Sequence, residues 1–368
     1  MIQPDEFGPE HVLQVYDYAT GLHGILVIDN TARGPGKGGI RMQPDITVNE
    51  ISRLARAMTW KTALAELPFG GAKAGILADP KRLDAGKKQA LVRAFARKIK
   101  PYLPELYITA PDMSTSSMEM GWIVDETKEP KGATGKPAEL GGIPHELGST
   151  GFGVAEATII ATGRLGLKNF SVAIEGFGDV GSATARFLSE RGARIVAVSD
   201  SRGAILDWNG FDIEKLLMTK KEHGTVSSHG GKRISHAELF SLDADVLIPG
   251  ARPDVITAHN VDSIKAKIIV EAANIPMNIH MEKKLAERNI LVIPDFLANS
   301  GGVISSYVEH IGGSTEEMFR EVRQRVGANT RLVLEKSHRE GIIPREAAMR
   351  IAEERVRRAM RVGRSANP

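Results

Sequence analysis

The sequence predicts an α/β protein with two domains. The chain has 368 residues, its short apolar segments alternate with amphipathic ones, and glycine-rich turns follow several of the apolar segments. A chain of this length exceeds what one hydrophobic core ordinarily organises. We expect an α/β first domain over residues 1–135, joined by C-terminal helices over 331–368. A second domain over residues 145–330 is expected to contain a doubly wound sheet.

Composition and charge narrow the class of protein. Hydrophobic residues make up 42% of the chain and charged residues 25%, which is typical of a folded globular protein. The net charge of +3 gives no reason to expect a nucleic-acid or membrane partner. Since cysteine is absent, disulfides, thiolate catalysis and cysteine-based zinc sites are excluded, and we predict no metal site. The N-terminus lacks a signal-peptide pattern and no apolar window approaches about 18 residues, so a cytoplasmic protein is expected.

One lysine stands in an unusual setting. Lys73 lies in the segment 68–76, Pro-Phe-Gly-Gly-Ala-Lys-Ala-Gly-Ile, where glycine permits close approach and predicts a recess lined by backbone. Lys61 precedes it by twelve positions in a mostly apolar helical stretch. If both ammonium groups share a pocket, burial and repulsion lower the pKa of the more buried one, which favours acid/base chemistry. A mobile turn is the alternative for Lys73, and a helix-dipole role is the alternative for Lys61.

The N-terminal region begins with a predicted strand over residues 24–29. The glycine-rich stretch that follows contains Lys37 and predicts a turn or binding loop rather than regular structure. A solvated loop cation is the alternative interpretation of Lys37. Thr47 and Glu50 form a capping-box pattern that starts a helix continuing through Leu64.

A helix over residues 84–98 and a short strand over 106–109 come next. Asp112 follows this strand, and strand ends are where α/β proteins place reactive groups. An exposed Pro-Asp turn is the alternative interpretation. Residues 126–144 are rich in Lys, Pro and Gly and indicate the crossing between domains. After it, Ser149 and Thr150 are predicted to cap a helix over about 152–163.

The strongest local pattern opens the second half. A strand over 170–175, a G-x-G-x-x-G turn over 176–181, a helix over 182–190 and a strand over 194–200 follow one another. This order predicts a Rossmann-type dinucleotide site, with the pyrophosphate at the helix N-terminus.

Each glycine of the turn has a distinct predicted task. Gly176 permits the tight turn, Gly178 lets the pyrophosphate reach the backbone, and Gly181 allows close helix packing. Asp200 ends the second strand about 20 residues on, where a ribose contact is expected. It would pair with a 2′-hydroxyl, whereas Ser201 and the next residue, an arginine, would suit a 2′-phosphate, so NAD and NADP both stay open.

Three more apolar strands extend the predicted sheet, and they lie at 245–251, 266–274 and 290–295. The loops after these strands are expected to line the cofactor crevice. Two charged amphipathic helices close the chain, over 316–336 and 344–362.

Taken together, these residues resemble the superfamily of glutamate, leucine, phenylalanine and valine dehydrogenases. The resemblance covers nearly the whole chain, and its motifs occur in one order. They are residues 37–42, the helix with Lys61, 68–76, 110–112, 148–153, 176–181, 271–274 and 299–306. The resemblance implies an N-terminal substrate-binding and oligomerisation domain, a hexamer or octamer, and oxidative deamination of an L-amino acid with NAD or NADP.

The resemblance also implies residue roles. Lys73 would be the catalytic lysine, Asp112 the acid/base carboxylate and Lys61 the cation that holds the substrate α-carboxylate. Passing a hydride from Cα to the nicotinamide, followed by water attack and loss of ammonia, requires an amine of lowered pKa and a carboxylate within reach. Further substrate contacts are implied for Gly38, Gly39, Met58 and Val303. Cofactor contacts are implied for Thr150, Gly176, Phe177, Gly178, Asp179, Val180, Gly181, Asp200, Ser201, Ala251, Asn274 and Asn299.

The substrate is argued from two positions. Lys37 and Ser306 match the places where the glutamate enzymes bind the side-chain carboxylate, and a buried lysine beside an aliphatic side chain would be uncompensated. Glutamate is therefore favoured. A short N-terminal segment and the residues after Lys37 resemble the leucine enzymes, so a leucine, valine or phenylalanine enzyme stays open.

Two other classes of protein predict different residues at these positions. A dinucleotide-binding protein without catalysis would lack reactive groups, yet Lys73 and Asp112 are present. A hydroxy-acid dehydrogenase would use a histidine, but His145, His280 and His310 lie outside the motifs above, and no arginine or histidine replaces the two lysines.

Overall fold

The structure is a computed structural model and describes residues 3–366. The chain forms two compact units. The first comprises the chain up to residue 145, residues 303–318 and residues 350 onward, and the second comprises 146–302 and 319–349. Three of the junctions between these stretches, after residues 302, 318 and 349, fall within helices.

The first unit opens with a mixture of short strands and helices. In chain order they are β1 (His11–Asp17), β2 (Leu22–Asn30), β3 (Gly36–Lys37), β4 (Ile40–Gln43), α1 (Val48–Leu64), β5 (Gly70–Leu77), α2 (Ala85–Ile99), β6 (Tyr107–Ile108) and α3 (Ser117–Thr127).

Strand β5 lies inside the sheet of this unit. The order is β1-β2-β5-β3-β6, and β4 also pairs with β5. Strands β1, β2 and β5 are antiparallel neighbours, whereas β3 and β4 run parallel to β5. Ala72 and Ala74 face the apolar core that includes α2 and α3. Since side chains alternate along a strand, Lys73 points to the opposite face, where α1 packs.

Both glycine-rich segments contribute strands to the sheet. The alternative of a mobile turn at Lys73 is wrong, because residues 70–77 form β5. The irregular loop predicted around Lys37 is wrong only for residues 36–37, which form β3, since residues 32–35 are turns and bends. Neither Gly70 nor Gly71 has a positive φ. A Cβ on Gly71 would lie 2.2 Å from the backbone nitrogen of Thr59, and one on Gly70 would lie 1.7 Å from a carbonyl oxygen of β2. These glycines therefore let neighbouring elements pack directly on β5.

Helix starts follow the predicted capping chemistry in part. The Thr47 side chain accepts from the Glu50 backbone nitrogen at 3.1 Å and caps α1, as predicted. The Glu50 carboxylate accepts a bond from Arg41. The predicted cap at Ser149 or Thr150 was wrong, because Gly148 occupies the cap position with a φ of +80° and both residues lie in the first helical turn.

The second unit continues the alternation of strands and helices. Its elements are α4 (Ser149–Arg164), β7 (Ser171–Glu175), α5 (Asp179–Ser189), β8 (Arg194–Asp200), β9 (Gly203–Leu206), α6 (Ile213–His223), β10 (Lys232–Ile234), α7 (His236–Phe240), β11 (Val246–Pro249), β12 (Ile268–Val270), α8 (Ile279–Glu287), β13 (Leu291–Ile293) and α9 (Asp295–Ala298). Three helices complete the chain, and they are α10 (Gly301–His310), α11 (Thr315–Glu340) and α12 (Pro344–Ala366).

The sheet of the second unit is doubly wound, as predicted. Its order is β10-β9-β8-β7-β11-β12-β13, and the strands from β8 to β13 in this order are parallel. The antiparallel strands β9 and β10 on one edge were not predicted. From β7 the chain runs first to β8 on one side and later to β11 on the other. This reversal creates the crevice in which open α/β sheets bind ligands. None of the helices described over residues 3–366 combines the length and the apolar character that a membrane span requires.

Candidate active site

Lys73 and Asp112 form an ion pair in the first unit. Ile40 of β4 pairs with Ala74 on one side and bridges to Pro111 on the other, which brings Asp112 to the strand that carries Lys73. The Lys73 Nζ lies 3.0 Å from the Asp112 Oδ2, and Lys73 is only 7% exposed. The structure thus brings together the two residues predicted to be catalytic.

Burial and neighbouring charges set the proton affinities of this pair. Burial lowers the pKa of Lys73, Asp112 opposes that change, and Arg41 adds to it. Burial alone would raise the pKa of Asp112, but Lys73 and Arg41 hold it below its ordinary value. At neutral pH the site therefore contains an ionised carboxylate beside an amine that releases its proton more readily than a surface lysine.

Arg41 lies within the motif of residues 37–42, and the sequence predicts no role for it. Its Nε donates to the Asp112 Oδ2 at 2.9 Å, and its guanidinium also bonds to Glu50 at 2.9 Å. The available signal was alternation along β4, since Ile40 and Met42 face the apolar core and Arg41 between them must face the other way. That face is also the face of Lys73.

Lys37 is buried next to the same sheet. It pairs with Gly71 in the ladder between β3 and β5, and it is only 1% exposed. Its Nζ donates to the carbonyl of Thr109 at 2.7 Å, with the carbonyl of Ile108 at 3.5 Å. Within the described part of the chain, no carboxylate forms an ion pair with Lys37. The alternative of a solvated loop cation is excluded.

The surroundings of Lys37 weaken its hold on a proton. Burial lowers its pKa to about 7, Glu309 opposes this change, and Lys136 and Lys73 contribute to it. A second anion placed against the ammonium would restore its charge.

The other predicted substrate residues occupy varied positions in the first unit. A Cβ on Gly38 would lie 1.7 Å from the Ala72 carbonyl oxygen, and one on Gly39 would lie 2.7 Å from the Asp112 Cβ, so both positions require glycine for packing. The remaining ones are half-buried or buried helical residues, namely Met58 and Lys61 in α1 and Val303 and Ser306 in α10. Each pair is spaced by three residues and so shares a helix face. Their contacts with a substrate stay predictions.

The glycine turn of the second unit has the geometry that a pyrophosphate requires. Gly176 has a φ of +92°, a Cβ on Gly178 would meet no atom within 4 Å, and a Cβ on Gly181 would lie 1.8 Å from the Gly176 carbonyl oxygen. Helix α5 begins at Asp179, so its N-terminal amides follow the turn. Ala251, in the loop that follows β11, lies against Gly176, which places the turn at the crevice of the sheet. Phe177 is buried and Val180 lies in the first turn of α5.

Asp200 is held by several donors of its own unit. Its carboxylate accepts from the backbone nitrogen of Val226 at 2.7 Å and of Arg202 at 2.9 Å. The hydroxyl of Thr225 donates at 3.1 Å, and the Lys220 Nζ lies 3.8 Å away. Burial alone would raise the pKa of Asp200, but these bonds lower it. The neighbouring Ser201 is exposed.

The remaining predicted cofactor residues are polar groups at strand and helix ends. The Asn299 amide donates to the Asn274 Oδ1 at 2.9 Å, so these two residues meet. Thr150 lies beside the start of α10, because a Cβ on Gly302 would be 2.8 Å from its hydroxyl. These residues fit the ribose and amide groups of a dinucleotide, which offer both donors and acceptors.

One unit thus holds a Rossmann-type dinucleotide site and the other a buried lysine and aspartate, the parts of a nicotinamide-dependent dehydrogenase. The family described as glutamate/leucine/phenylalanine/valine dehydrogenase matches residues 141–363, and the Glu/Leu/Phe/Val dehydrogenase dimerisation domain matches residues 9–129. The chain belongs to this family, and it is an NAD(P)-dependent amino-acid dehydrogenase. The predicted resemblance, fold and enzyme class are confirmed.

Individual relatives agree with this assignment. The chain is 43% identical over 353 residues to the glutamate dehydrogenase of Aeropyrum pernix, covering 90% of this chain and 84% of the relative. It is 40% identical to the NADP-specific glutamate dehydrogenase of Saccharolobus shibatae, covering 96% and 89% of the two chains. A hetero-hexameric glutamate dehydrogenase from Thermus thermophilus, in its Leu-bound form, superposes with a TM-score of 0.85 at 31% identity, covering 96% and 90%.

Proposed function

We propose that the chain catalyses the reversible oxidative deamination of L-glutamate to 2-oxoglutarate and ammonia. The observation that carries this choice of substrate is Lys37, a fully buried cation whose hydrogen bonds go to carbonyl oxygens. The second carboxylate of glutamate would supply the missing anion, with the Ser306 hydroxyl as a further donor. Beside an aliphatic side chain the Lys37 amine, whose pKa burial lowers to about 7, would find no such anion. The relatives named as glutamate dehydrogenases support this choice.

The Lys73 and Asp112 pair would manage the protons of the reaction. When the coenzyme is bound, its nicotinamide ring accepts the hydride from the substrate Cα. The substrate ammonium must first lose a proton, and the ionised Asp112 carboxylate would accept it. Lys73, in its neutral form, would then take a proton from the water that attacks the iminium carbon. Asp112 would return its proton to the amino nitrogen, and as ammonia leaves, the hydroxyl proton of the intermediate would pass to the Asp112 carboxylate so that the carbonyl forms. Lys61 would hold the substrate α-carboxylate throughout.

Coenzyme binding would involve the residues of the second unit named above. The open backbone at Gly178 and the first turn of α5 would hold the pyrophosphate. Asn274, Asn299 and Thr150 would lie by the nicotinamide and its ribose. The coenzyme stays NAD or NADP, because Asp200 is already bonded to backbone donors and has Lys220 nearby.

The assembly would be a homo-oligomer formed through the first unit, either a hexamer or an octamer. The matched dimerisation domain and the hexameric Thermus relative support self-association. A cytoplasmic location stays a prediction.

Initial rates of reductive amination test the substrate. The purified protein is assayed with ammonia, NADH or NADPH, and each of 2-oxoglutarate, 2-oxopentanoate and 4-methyl-2-oxopentanoate. We expect kcat/KM for 2-oxoglutarate to exceed the others by at least about 100-fold, because a site built for one polar group rejects substrates that lack it. A preference for 4-methyl-2-oxopentanoate would replace the proposal with a leucine-type enzyme, which the sequence after Lys37 resembles.

A further inference from the structure

A buried ion pair lies in the first unit near Lys37 but contains none of the predicted site residues. The Lys136 Nζ is 2.8 Å from the Glu309 Oε1, and both side chains are buried. Lys136 follows β6 in the chain, and Glu309 lies in the last turn of α10. The Glu309 Oε2 also accepts from the backbone nitrogens of Gly135 at 2.9 Å and Ile143 at 3.0 Å. Burying two charges costs desolvation energy that their attraction does not always offset, so this ion pair is expected to have a role beyond stability.

The pair is linked to Lys37 by a short hydrogen-bonded route. The Lys136 Nζ donates to the Ala133 carbonyl at 2.9 Å, and Ala133 forms a bridge with Thr109. The Thr109 carbonyl in turn accepts from the Lys37 Nζ at 2.7 Å and from the Thr134 nitrogen at 3.0 Å. Residues 133–136, the tether segment, thus join the acceptor of Lys37 at one end to Glu309 at the other.

We infer that Glu309 is a positioning residue for Lys37. It fixes the tether segment against the Thr109 carbonyl that orients the lysine, and its negative charge stabilises the Lys37 ammonium inside the protein. This inference rests on the proposed role of Lys37 as the partner of a substrate carboxylate. It adds a determinant of substrate specificity that touches no substrate itself.

The charges around Lys37 determine the direction in which each substitution should change its pKa. Burial lowers the pKa of Lys37 to about 7, and among the nearby charges Glu309 raises this pKa while Lys136 and Lys73 lower it. His310 also lies near, but burial and then Lys37 lower the pKa of its ring below its ordinary value, so it is neutral at neutral pH. Removing the Glu309 charge should therefore lower the pKa of Lys37 further, and removing the Lys136 charge should raise it.

Two variants with opposite expected effects test this. The pH dependence of kcat/KM is measured for L-glutamate and for L-norvaline, which lacks the second carboxylate, in wild type, Glu309→Gln and Lys136→Met. For glutamate, Glu309→Gln should move the alkaline fall of kcat/KM to lower pH by about one unit, and Lys136→Met should move it to higher pH, as a charge several ångströms away predicts. At pH 8 Glu309→Gln should lose about tenfold on glutamate and less than about threefold on norvaline.

Two control variants distinguish the effect of the Glu309 charge from its effect on packing, and failure of the inference from failure of the proposed function. Glu309→Asp keeps the charge and should keep the alkaline limb near its wild-type pH even if Tm falls. Shifts in the same direction for Glu309→Gln and Lys136→Met, or equal losses on both substrates, would overturn the inference. Lys37→Leu is assayed in parallel. If its glutamate to norvaline ratio is unchanged, the proposed role of Lys37 fails, and the inference with it. If that ratio collapses while Glu309→Gln leaves the limb in place, the inference alone fails.

Discussion

Replacing Lys37 by leucine removes the buried ammonium and leaves an apolar side chain in its place. In the native structure this ammonium donates to the Thr109 and Ile108 carbonyls and has no carboxylate partner within residues 3–366. A substrate side-chain carboxylate is its proposed counter-ion. The substitution should therefore harm the binding of glutamate and favour substrates with an aliphatic side chain.

The size of this effect follows from the burial of Lys37, which is 1% exposed. A hydrogen bond to a charged group contributes about 1.5–3 kcal/mol, and leaving a buried charge without its partner costs about 3–5 kcal/mol. The kcat/KM for glutamate should then fall by between about 10-fold and 10⁴-fold, since each 1.36 kcal/mol is tenfold. For norvaline and leucine the same quantity should hold or rise.

The assay compares kcat/KM for L-glutamate, L-norvaline and L-leucine at pH 8 in wild type and Lys37→Leu. Lys98→Leu serves as a matched control, because Lys98 is an exposed lysine on α2 of the same unit. That control should stay within about twofold of wild type, as surface substitutions usually do. A glutamate to norvaline ratio that is the same in wild type and Lys37→Leu would refute the reasoning.

Three further substitutions test the charge clusters. Asp112→Asn should lower kcat by about 10²–10⁴ while the coenzyme Kd from fluorescence titration stays near that of wild type, because an amide cannot accept the proton; a rate within a few-fold of wild type would contradict this. Arg41→Met should raise the pKa of the Asp112 carboxyl, because Arg41 and Lys73 hold that pKa down, so the acid limb of kcat/KM moves to higher pH; an unmoved limb would exclude the coupling. Arg345→Met removes the guanidinium that lies 2.6 Å from the buried Glu271 carboxylate, and it should lower the free energy of unfolding by about 3–5 kcal/mol. Burial already raises the pKa of Glu271, and Arg345 opposes this change. Because the folded protein holds this proton more tightly than the unfolded chain does, ionisation of Glu271 at higher pH reduces stability. The Tm deficit of Arg345→Met should thus be larger at pH 8 than at pH 5, and the reverse order would contradict the assignment.

The features that sequence predicts well here are local. The turn at Gly176 follows from glycine chemistry within a few residues, and the structure reproduces its φ, its open position at Gly178 and its close packing at Gly181. The cap at Thr47 is local in the same sense. Lys73 and Asp112 were identified because their residue types stand out against small and apolar neighbours.

The features that sequence missed depend on distant partners. The glycines before Lys73 predicted a recess lined by backbone, but the sequence did not show that they lie in a strand and that α1 and β2 pack directly on them. Arg41 reaches Asp112 across 71 positions, and Glu309 reaches Gly135 across 174. No periodicity or spacing within one element encodes such pairs, so they appear only once the strands and helices are assembled.

The measurement that tests the central claim most directly is single-turnover formation of NAD(P)H from L-glutamate by Lys73→Met, alongside coenzyme titration. If the buried amine of Lys73 moves protons with Asp112, the variant should bind coenzyme as wild type does and form product at least about 10³-fold more slowly. Product formation at a rate within a few-fold of wild type would show that the ion pair is only structural, and it would contradict the proposed mechanism.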